Sequence, residues 1–201
     1  MRPPAERPLR LFVAVPAPPE AQAAAHKINE SVRGAGDVRW VAPPLLHLTL
    51  KFLGSTPPEK LAGIGRALAK TANEFSPFVV ELGGAGAFPN PRRPQTIWLA
   101  VGGEVQALRD LAGAVDAALH PLGFERETRG YTAHLTIGRV KSPRGMKELS
   151  RKLLDASEHG ATPVTWRIGE LHLMQSRLRP GGPEYITLER FRLGRETEGT
   201  G

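Results

Sequence analysis

The chain has 201 residues and no cysteine, which excludes disulfide bridges, zinc sites with thiolate ligands and cysteine nucleophiles. Lysine and arginine outnumber aspartate and glutamate by 27 to 20, and the net charge of +7 fits polyanionic partners as well as it fits solubility alone. No apolar run approaches the roughly 20 residues that span a membrane, and the first residues lack the apolar core of a signal peptide, so we expect a cytoplasmic protein.

The first part of the chain predicts a strand, a helix and two further extended segments. Residues 9–15 are apolar and include β-branched and aromatic side chains, which indicates a buried strand. A helix is expected to begin near the Pro-Pro-Glu sequence at 18–20 and to end before Gly34, with one apolar face. Extended segments follow at 37–41 and 45–54, separated by a Pro-Pro pair.

The middle of the chain alternates helices and strands around one irregular segment. A helix is expected at 57–72 and a strand at 77–82. The segment 83–94 reads GGAGAFPNPRRP and contains too much glycine and proline for regular structure, so we expect a boundary between lobes or a loop at the site. A strand at 95–101 then leads into a long helix that ends near residue 121.

The last part of the chain predicts more strand than helix. Its elements are a strand at 130–140, a weak helix at 146–154, and strands at 163–178 and 184–193. We expect a single domain, 1–201, with frayed ends at about 1–8 and 195–201.

The two halves of the chain repeat one pattern, in which a strand is followed by an amphipathic helix and then by a strand with a histidine. The spacing from Phe12 to His47 nearly equals the spacing from Trp98 to His134. Strands and helices mixed in this order predict an α+β fold with two similar lobes, each carrying a sheet.

Two nearly identical tetrapeptides, HLTL at 47–50 and HLTI at 134–137, stand at equivalent places in this repeat. Alternate side chains of a strand point to opposite faces, so each histidine shares a face with the threonine two residues later. Two such faces across a cleft would suit in-line displacement at phosphorus. One imidazole would take a proton from the incoming oxygen, the other would donate a proton to the leaving oxygen, and the hydroxyls would bind the equatorial oxygens.

The histidines allow two other interpretations. A single histidine on a half-apolar strand is more often structural than catalytic, and we interpret the remaining four in that way: His26, His120, His159 and His172. The duplication of both polar residues, histidine and threonine, favours a shared site for His47 and His134. A metal site fits poorly because the sequence has no HExxH or facial-triad spacing, so we expect no metal and no cofactor.

The residues around both motifs resemble a known family. HLTLKFLG at 47–54 and HLTIGR at 134–139 are similar to the paired H-x-[ST]-φ signatures, φ being hydrophobic, of the two-histidine (2H) phosphoesterases. Further stretches resemble the LigT branch, the RNA 2′,3′-cyclic phosphodiesterases: RLFVAV, VRWVAPPLLHLTLKFLG, GAFPNPRRPQTIWLAV, PLGFE and SRLRPGGPEYITLERFRLG. The resemblance implies a bilobal α+β fold of two pseudo-symmetric lobes, each with an antiparallel sheet and flanking helices, and an active-site cleft between them.

The resemblance also implies an activity, which is metal-independent hydrolysis of 2′,3′-cyclic phosphate ends of RNA or nucleotides to 2′-phosphates. In that scheme His47 is the proton donor to the leaving 3′ oxygen and His134 is the proton acceptor that activates water. Thr49 and Thr136 fall on phosphate-contacting positions. Many relatives have proline where this chain has Ala133, a departure that removes no functional group.

Several further residues are weaker candidates for substrate binding. Arg139 matches a basic position of the LigT branch and could pair with phosphate, although it could equally be a solvated arginine at a strand end. Tyr131 and Phe12 could offer an aromatic face to the terminal base, with core packing the leading alternative for Phe12. Lys51 is expected on the strand face of the first motif and could reach the cleft. Two loop arginines could touch the RNA backbone: Arg92 and Arg93.

The sequence leaves two other functions open. The first is 2′–5′ RNA ligation, in which a 5′-hydroxyl replaces water and the same two histidines serve. The second is an RNA-binding module without turnover, which would need the basic surface but not the matched proton-transfer groups. We expect a monomer, since both motifs lie on one chain.

Overall fold

The computed structural model describes residues 7–158, 163–180 and 182–194. His159 and most of the two ends that were expected to fray lie outside these residues, so those expectations stay predictions. In the described part of the chain, no helix has the length and apolar character needed to cross a membrane.

Within the described residues, nine strands form two antiparallel sheets. The strands are β1 (Leu9–Pro16), β2 (Asp37–Trp40), β3 (His47–Thr56), β4 (Phe78–Phe88), β5 (Thr96–Gly103), β6 (His134–Ser142), β7 (Val164–Ile168), β8 (Glu170–Arg179) and β9 (Gly182–Arg192). The four-stranded sheet has the order β3-β1-β8-β9, and the five-stranded sheet has the order β2-β6-β5-β4-β7.

Four helices of this part of the chain cover the sheets, and their positions agree with the apolar spacing of the sequence. They are α1 (Pro19–Ser31), α2 (Leu61–Asn73), α3 (Val105–Leu119) and α4 (Met146–Glu158). Short 3-10 turns at Pro43–Leu45 and Pro58–Lys60 delay the starts of β3 and α2 relative to the prediction. In both turns proline occupies the first residues, where its fixed φ suits the turn and its missing N–H costs no hydrogen bond.

The helix of each repeat packs on the sheet of the other lobe. The helix α1 follows β1 of the four-stranded sheet but contacts β4 and β7 of the five-stranded sheet. The helix α3 follows β5 of the five-stranded sheet but contacts β3 of the four-stranded sheet. Because of this exchange, most buried apolar side chains of both lobes form one connected core, and Phe12, Ala14 and Met174 form a small separate cluster.

The expectation of irregular structure over 83–94 is wrong for the first half of that segment, because β4 continues through it to its end at Phe88. Gly83 and Gly84 lie at a shift in the pairing of β4 with β5, where a strand can carry an extra residue. Gly86 lies under the ring of Trp98, and a Cβ at Gly86 would be 2.3 Å from that ring. These glycines therefore serve a bulge and a close approach within a strand.

The predicted strand at 163–178 is in fact two strands in different sheets. The strand β7 pairs with β4 in the five-stranded sheet, β8 pairs with β1 in the four-stranded sheet, and Gly169 lies between them. The chain also passes between the sheets from β1 to β2, from β2 to β3 and from β3 to β4. The two lobes are therefore not consecutive halves of the chain, and 83–94 is not a boundary between them.

Candidate active site

The two tetrapeptides lie where the two sheets meet. His47 is the first residue of β3 and His134 is the first residue of β6. The strand β3 is an edge of its sheet, β6 pairs with β5 and β2 in the other sheet, and β3 and β6 contact each other. The structure thus places the two motif strands side by side at the junction of the lobes.

The two motif imidazoles are held by the same hydrogen bond. The Nδ1 of His47 lies 2.7 Å from the carbonyl oxygen of Leu45, and the Nδ1 of His134 lies 2.7 Å from the carbonyl oxygen of Thr132. A carbonyl oxygen can only accept, so Nδ1 must carry the hydrogen in both rings. Among the described residues nothing bonds either Nε2, which leaves this atom to accept a proton from a neutral ring or to donate one from a charged ring.

Aromatic rings surround the imidazole of His47. The centroid of Phe12 lies 5.0 Å from that of His47, and Tyr185 meets the imidazole edge-on at 5.3 Å. Burial lowers the pKa of His47 below its ordinary value of 6.5, while the hydrogen bond to Leu45 opposes this shift. In the free protein this environment favours the neutral imidazole.

A second pair of aromatic rings surrounds the imidazole of His134. Phe88, the last residue of β4, meets the imidazole edge-on with centroids 5.0 Å apart, and Trp98 lies 6.5 Å away. Phe88 and Trp98 also contact each other at 5.2 Å. The contacts with these two rings and the hydrogen bond from Nδ1 together orient the imidazole.

The two motif threonines lie on the faces of their histidines, as strand alternation predicts. Thr49 and Thr136 are half-buried, whereas the leucines that precede them are fully buried. Neither threonine hydroxyl has a hydrogen-bond partner in the described part of the chain. The site therefore presents two imidazole Nε2 atoms and two hydroxyls that are not bonded to protein groups, a set that suits displacement at phosphorus.

Both motif strands carry a bulge directly after the threonine. In the pairing of β3 with β1 the extra residue is Leu50, and in the pairing of β6 with β5 it is Ile137. A bulge reverses the alternation of faces, so Leu50 and Lys51 are both buried. Phe52 and Arg139, which occupy equivalent positions in the two strands, return to the face of the histidines and are exposed.

Comparison with known proteins shows the family of the chain. The family profile of the 2′-5′ RNA ligase superfamily matches residues 17–179. The chain belongs to this superfamily. The predicted relationship to the LigT-type 2H phosphoesterases and the predicted bilobal α+β fold are both confirmed.

Three similar proteins illustrate how much of the chain is shared. A protein of Methanothermobacter thermautotrophicus named RNA 2′,3′-cyclic phosphodiesterase is 36% identical over 188 residues, which cover 92% of this chain and 99% of the relative. A protein of Archaeoglobus fulgidus with the same name is 38% identical over 184 residues, which cover 91% and 99%. A solved structure from Thermus thermophilus superposes with a TM-score of 0.76 at 31% identity and covers 94% of this chain and all of that one.

In this member of the 2′-5′ RNA ligase superfamily, the prediction that Lys51 shares the face of the first motif is wrong. The bulge at Leu50 turns Lys51 to the interior. Its Nζ donates to the Oδ1 of Asp116 at 2.5 Å and to the carbonyl oxygen of Glu125 at 2.7 Å. One acceptor lies on α3 and the other in the segment that follows it, so the side chain of Lys51 is directed away from the cleft.

The prediction that Phe12 offers a face to a base also needs correction. Phe12 is only 3% exposed and packs against His47, Tyr185 and Met174, so its ring supports the site from below. Phe52 lies 6.3 Å from Phe12 and is 72% exposed, on the face of the first motif. The free aromatic surface at this place thus belongs to Phe52.

The other weaker candidates have different surroundings. Arg139 is exposed, and its Nη1 donates to the hydroxyl of Thr96 at 3.4 Å. Tyr131 packs against the main core, and burial raises the pKa of its hydroxyl. Arg92 and Arg93 are exposed in the loop after β4, where their backbone N–H groups donate to Asn90. Substrate contact by any of these four residues stays a prediction.

Three of the remaining histidines lie within the described residues. His26 is exposed on α1, and the Nδ1 of His120 lies 3.2 Å from the carbonyl oxygen of Phe124. His172 is buried on β8, with its Nε2 at 2.7 Å from the Oε1 of Glu170 and its Nδ1 enclosed. Over residues 7–158, 163–180 and 182–194, no three His, Cys, Asp or Glu side chains form a group that could hold a metal ion.

Sequence reasoning missed three aromatic residues of this site. Phe52 is absent from the sequence-based candidates, because strict alternation places it opposite His47 and no residue type in LTLKF marks a bulge. Phe88 was placed in an irregular segment. Tyr185 lies in a stretch that resembles the LigT branch, PEYITLERF, and this resemblance was the available signal for it.

Proposed function

We propose that the protein is an RNA 2′,3′-cyclic phosphodiesterase, which opens cyclic phosphate ends of RNA or nucleotides to 2′-phosphates without a metal. The observation that carries the proposal is the matched pair of imidazoles, each with Nδ1 bound to a backbone carbonyl and Nε2 unengaged, beside an unengaged threonine hydroxyl. The names of the relatives from Methanothermobacter thermautotrophicus and Archaeoglobus fulgidus support it. We include in the proposal the expectation of a monomer in the cytoplasm.

The proposed reaction is an in-line attack of water on the cyclic phosphorus. The Nε2 of His134 takes a proton from the water as the new P–O bond forms. The bond between phosphorus and the 3′ oxygen breaks, and the Nε2–H of His47 gives its proton to that oxygen. The hydroxyls of Thr49 and Thr136 donate to the non-bridging oxygens, where negative charge collects. The products are a 2′-phosphate and a 3′-hydroxyl.

The assignment of donor and acceptor rests on the family resemblance, since the two rings are held alike. Burial lowers the pKa of His47 and favours its neutral form in the free protein. A cyclic phosphate beside the ring acts in the opposite direction, because a nearby negative charge stabilises the imidazolium. We therefore infer that bound substrate supplies the charge that keeps His47 protonated.

Two exposed residues complete the proposed substrate site. Arg139 lies on the face of the second motif, where its planar guanidinium can hold the oxygens of a phosphate group of the RNA chain with two parallel hydrogen bonds. Phe52 lies on the face of the first motif, where its ring can stack on the terminal base. Bases of every kind have a stacking surface, so this contact predicts little base preference.

One further candidate function is 2′–5′ RNA ligation, which the name of the matching superfamily favours. Ligation is the same displacement with a 5′-hydroxyl in place of water. His134 would take the proton of that hydroxyl as its oxygen attacks the cyclic phosphorus, and His47 would give a proton to the 3′ oxygen as its bond to phosphorus breaks. Supplying RNA with a 5′-hydroxyl together with RNA ending in a 2′,3′-cyclic phosphate tests it. Formation of a joined product supports ligation, and its absence removes it.

The proposed hydrolysis is tested by the identity of its product. We expect the pure protein, in excess chelator, to convert a 2′,3′-cyclic nucleotide only to the 2′-phosphate, as followed by phosphorus NMR. His47→Ala and His134→Ala should each lose about 10²- to 10⁴-fold in kcat, while His26→Ala, on the exposed surface of α1, should retain full activity. A 3′-phosphate product, loss of activity in chelator, or full activity in both motif variants would contradict the mechanism. If the protein with both motif histidines replaced binds RNA as well as the wild type does, and neither opens a cyclic phosphate, the protein is a binding module.

A further inference from the structure

Two arginines lie opposite each other on neighbouring strands at the face of the second motif. Arg39 of β2 is in register with Arg139 of β6, and both side chains are exposed. Residues directly opposite in an antiparallel pair share a face, and the bulge at Ile137 turns that face toward the side of His134 and Thr136. Two like charges at such a position destabilise a sheet.

No acidic side chain of the described residues forms an ion pair with either arginine. Asp37, on the same strand as Arg39, accepts a hydrogen bond from Ser142 at 2.7 Å. Glu184, on the hairpin of β8 and β9, pairs with Arg179 at 3.1 Å. The two guanidinium groups are therefore without a carboxylate partner among the described residues, which is the arrangement expected where an anion binds.

Arg39 also reaches from its own sheet to the other one. Its Nη2 would lie 2.5 Å from a Cβ built on Gly182, the first residue of β9, so the guanidinium touches the backbone of the β8–β9 hairpin. The hairpin belongs to the four-stranded sheet, whereas Arg39 belongs to the five-stranded sheet. The guanidinium of Arg39 thus bridges the two lobes.

We propose that Arg39 and Arg139 together form a second anion site that binds the phosphodiester group next to the terminal nucleotide. This inference rests on the proposed function and names its substrate class: the end of an RNA chain in preference to a mononucleotide. The motif histidines and threonines serve the cyclic phosphate, which a mononucleotide also has. Only a longer chain supplies a second phosphate, whose negative charge offsets the repulsion of the two arginines and whose oxygens fit their planar guanidinium groups.

The test compares two substrates in matched variants. The substrates are a 2′,3′-cyclic mononucleotide and a short RNA with a 2′,3′-cyclic end. We expect Arg39→Ala to lower kcat/KM on the RNA about tenfold, through KM, which is the effect of one charge-assisted contact. Its activity on the mononucleotide should stay within about twofold. Arg39→Lys keeps the charge but not the planar guanidinium, so its kcat/KM on the RNA should lie between those of the wild type and Arg39→Ala. Arg109→Ala, at an exposed position on α3, is the control and should change neither.

The salt dependence gives a second readout. Loss of one phosphate contact should reduce the slope of log(kcat/KM) against log[salt] by about 0.7 on the single-stranded RNA and not on the mononucleotide. An equal loss on both substrates with lower thermal stability would mean that Arg39 only joins the lobes, and an unchanged slope would also overturn the proposal.

The inference can be separated from the proposed function. If the wild type opens neither substrate, the proposed function fails. The anion site is then measured directly, by fluorescence anisotropy of a labelled RNA with a 2′-phosphate end. Weaker binding by Arg39→Ala than by Arg109→Ala would support the anion site, and equal binding would overturn it.

Discussion

Lys51 and Asp116 form a buried ion pair, with 2.5 Å between Nζ and Oδ1, that ties the strand of the first motif to α3. Asp116 also accepts the backbone N–H of Glu127 at 3.1 Å, and Lys51 donates to the carbonyl of Glu125. Burial by itself raises the pKa of Asp116, but these hydrogen bonds and the charges of Lys51 and Arg126 outweigh it and leave the pKa below its usual 3.8.

Asp116→Asn should lower the free energy of unfolding by about 3–5 kcal/mol, because it leaves the Lys51 charge buried without its partner. Urea unfolding measures this. Arg126→Ala is the control, since its side chain is 55% exposed and its ion pair with Asp116 should contribute at most about 1 kcal/mol. Because the pKa of Asp116 is lowered on folding, the contribution of the carboxylate is present above pH 3.8 and is lost as the pH falls through the lowered pKa. Equal stability of the two variants would contradict the importance of this pair.

Thr49→Val and Thr136→Val should each lower kcat by about 10²-fold, because each removes one hydrogen-bond donor from the charge that develops on phosphate. Valine keeps the shape of threonine, so the free energy of unfolding should stay nearly unchanged. Steady-state kinetics on a 2′,3′-cyclic nucleotide provides the measurement, and Thr165→Val, at an exposed position of β7, is the control. A change confined to KM would argue that the hydroxyls bind the ground state only.

The imidazole of His47 should titrate below pH 6.5 in the free protein, because burial disfavours its charged form. Binding of a 2′-phosphorylated nucleotide should raise this pKa, since the anion stabilises the imidazolium. The complex then holds more protons than the free protein, so affinity should increase as the pH falls through the raised pKa and level off below the pKa of the free protein. NMR titration of the ring protons, assigned with His47→Ala, tests both statements. A pKa that does not respond to the nucleotide would contradict the role of substrate in protonating this ring.

Phe52→Ala should weaken nucleotide binding by about 1–3 kcal/mol, the contribution of one stacked base, and should appear in KM. Its stability should change little, because the side chain is 72% exposed. Phe12→Ala should act mainly on stability. It should lower the free energy of unfolding by about 3–5 kcal/mol, because it removes a buried aromatic side chain. Leu154→Ala, exposed on α4, is the control for removing a surface apolar group. Unchanged KM in Phe52→Ala would remove this residue from the substrate site.

Gly86→Ala should lower the free energy of unfolding by about 1–3 kcal/mol, because its Cβ would meet the Trp98 ring at 2.3 Å and force the ring away. Since Trp98 packs beside His134, kcat should fall as well. Gly113→Ala, on α3 with open space around it, should instead be neutral or stabilising. Denaturation curves of both variants decide the point, and a harmless Gly86→Ala would show that Trp98 moves freely.

Most of the secondary structure followed from the sequence, because periodic burial is a local property. The four helices and the strands around both histidines appeared near their predicted places, and alternation put each histidine on the face of its threonine. The segment 83–94 failed because glycine content signals irregular backbone, whereas here the glycines accommodate a bulge and the ring of Trp98. The group that fills the space beside a glycine comes from the neighbouring strand, so the glycine alone does not reveal it.

The sequence by itself determined the two motifs, their equivalent places in a repeat, and the family to which they point. Tertiary structure alone decided which neighbours the motifs acquire. The bulges at Leu50 and Ile137 exist only in the pairing with β1 and β5, and they turn Lys51 inward and bring Phe52 and Arg139 to the faces of the motif histidines. Strand alternation is a property of one chain segment, whereas register is a property of two, so residues beyond a bulge cannot be assigned to a face until the partner strand is known.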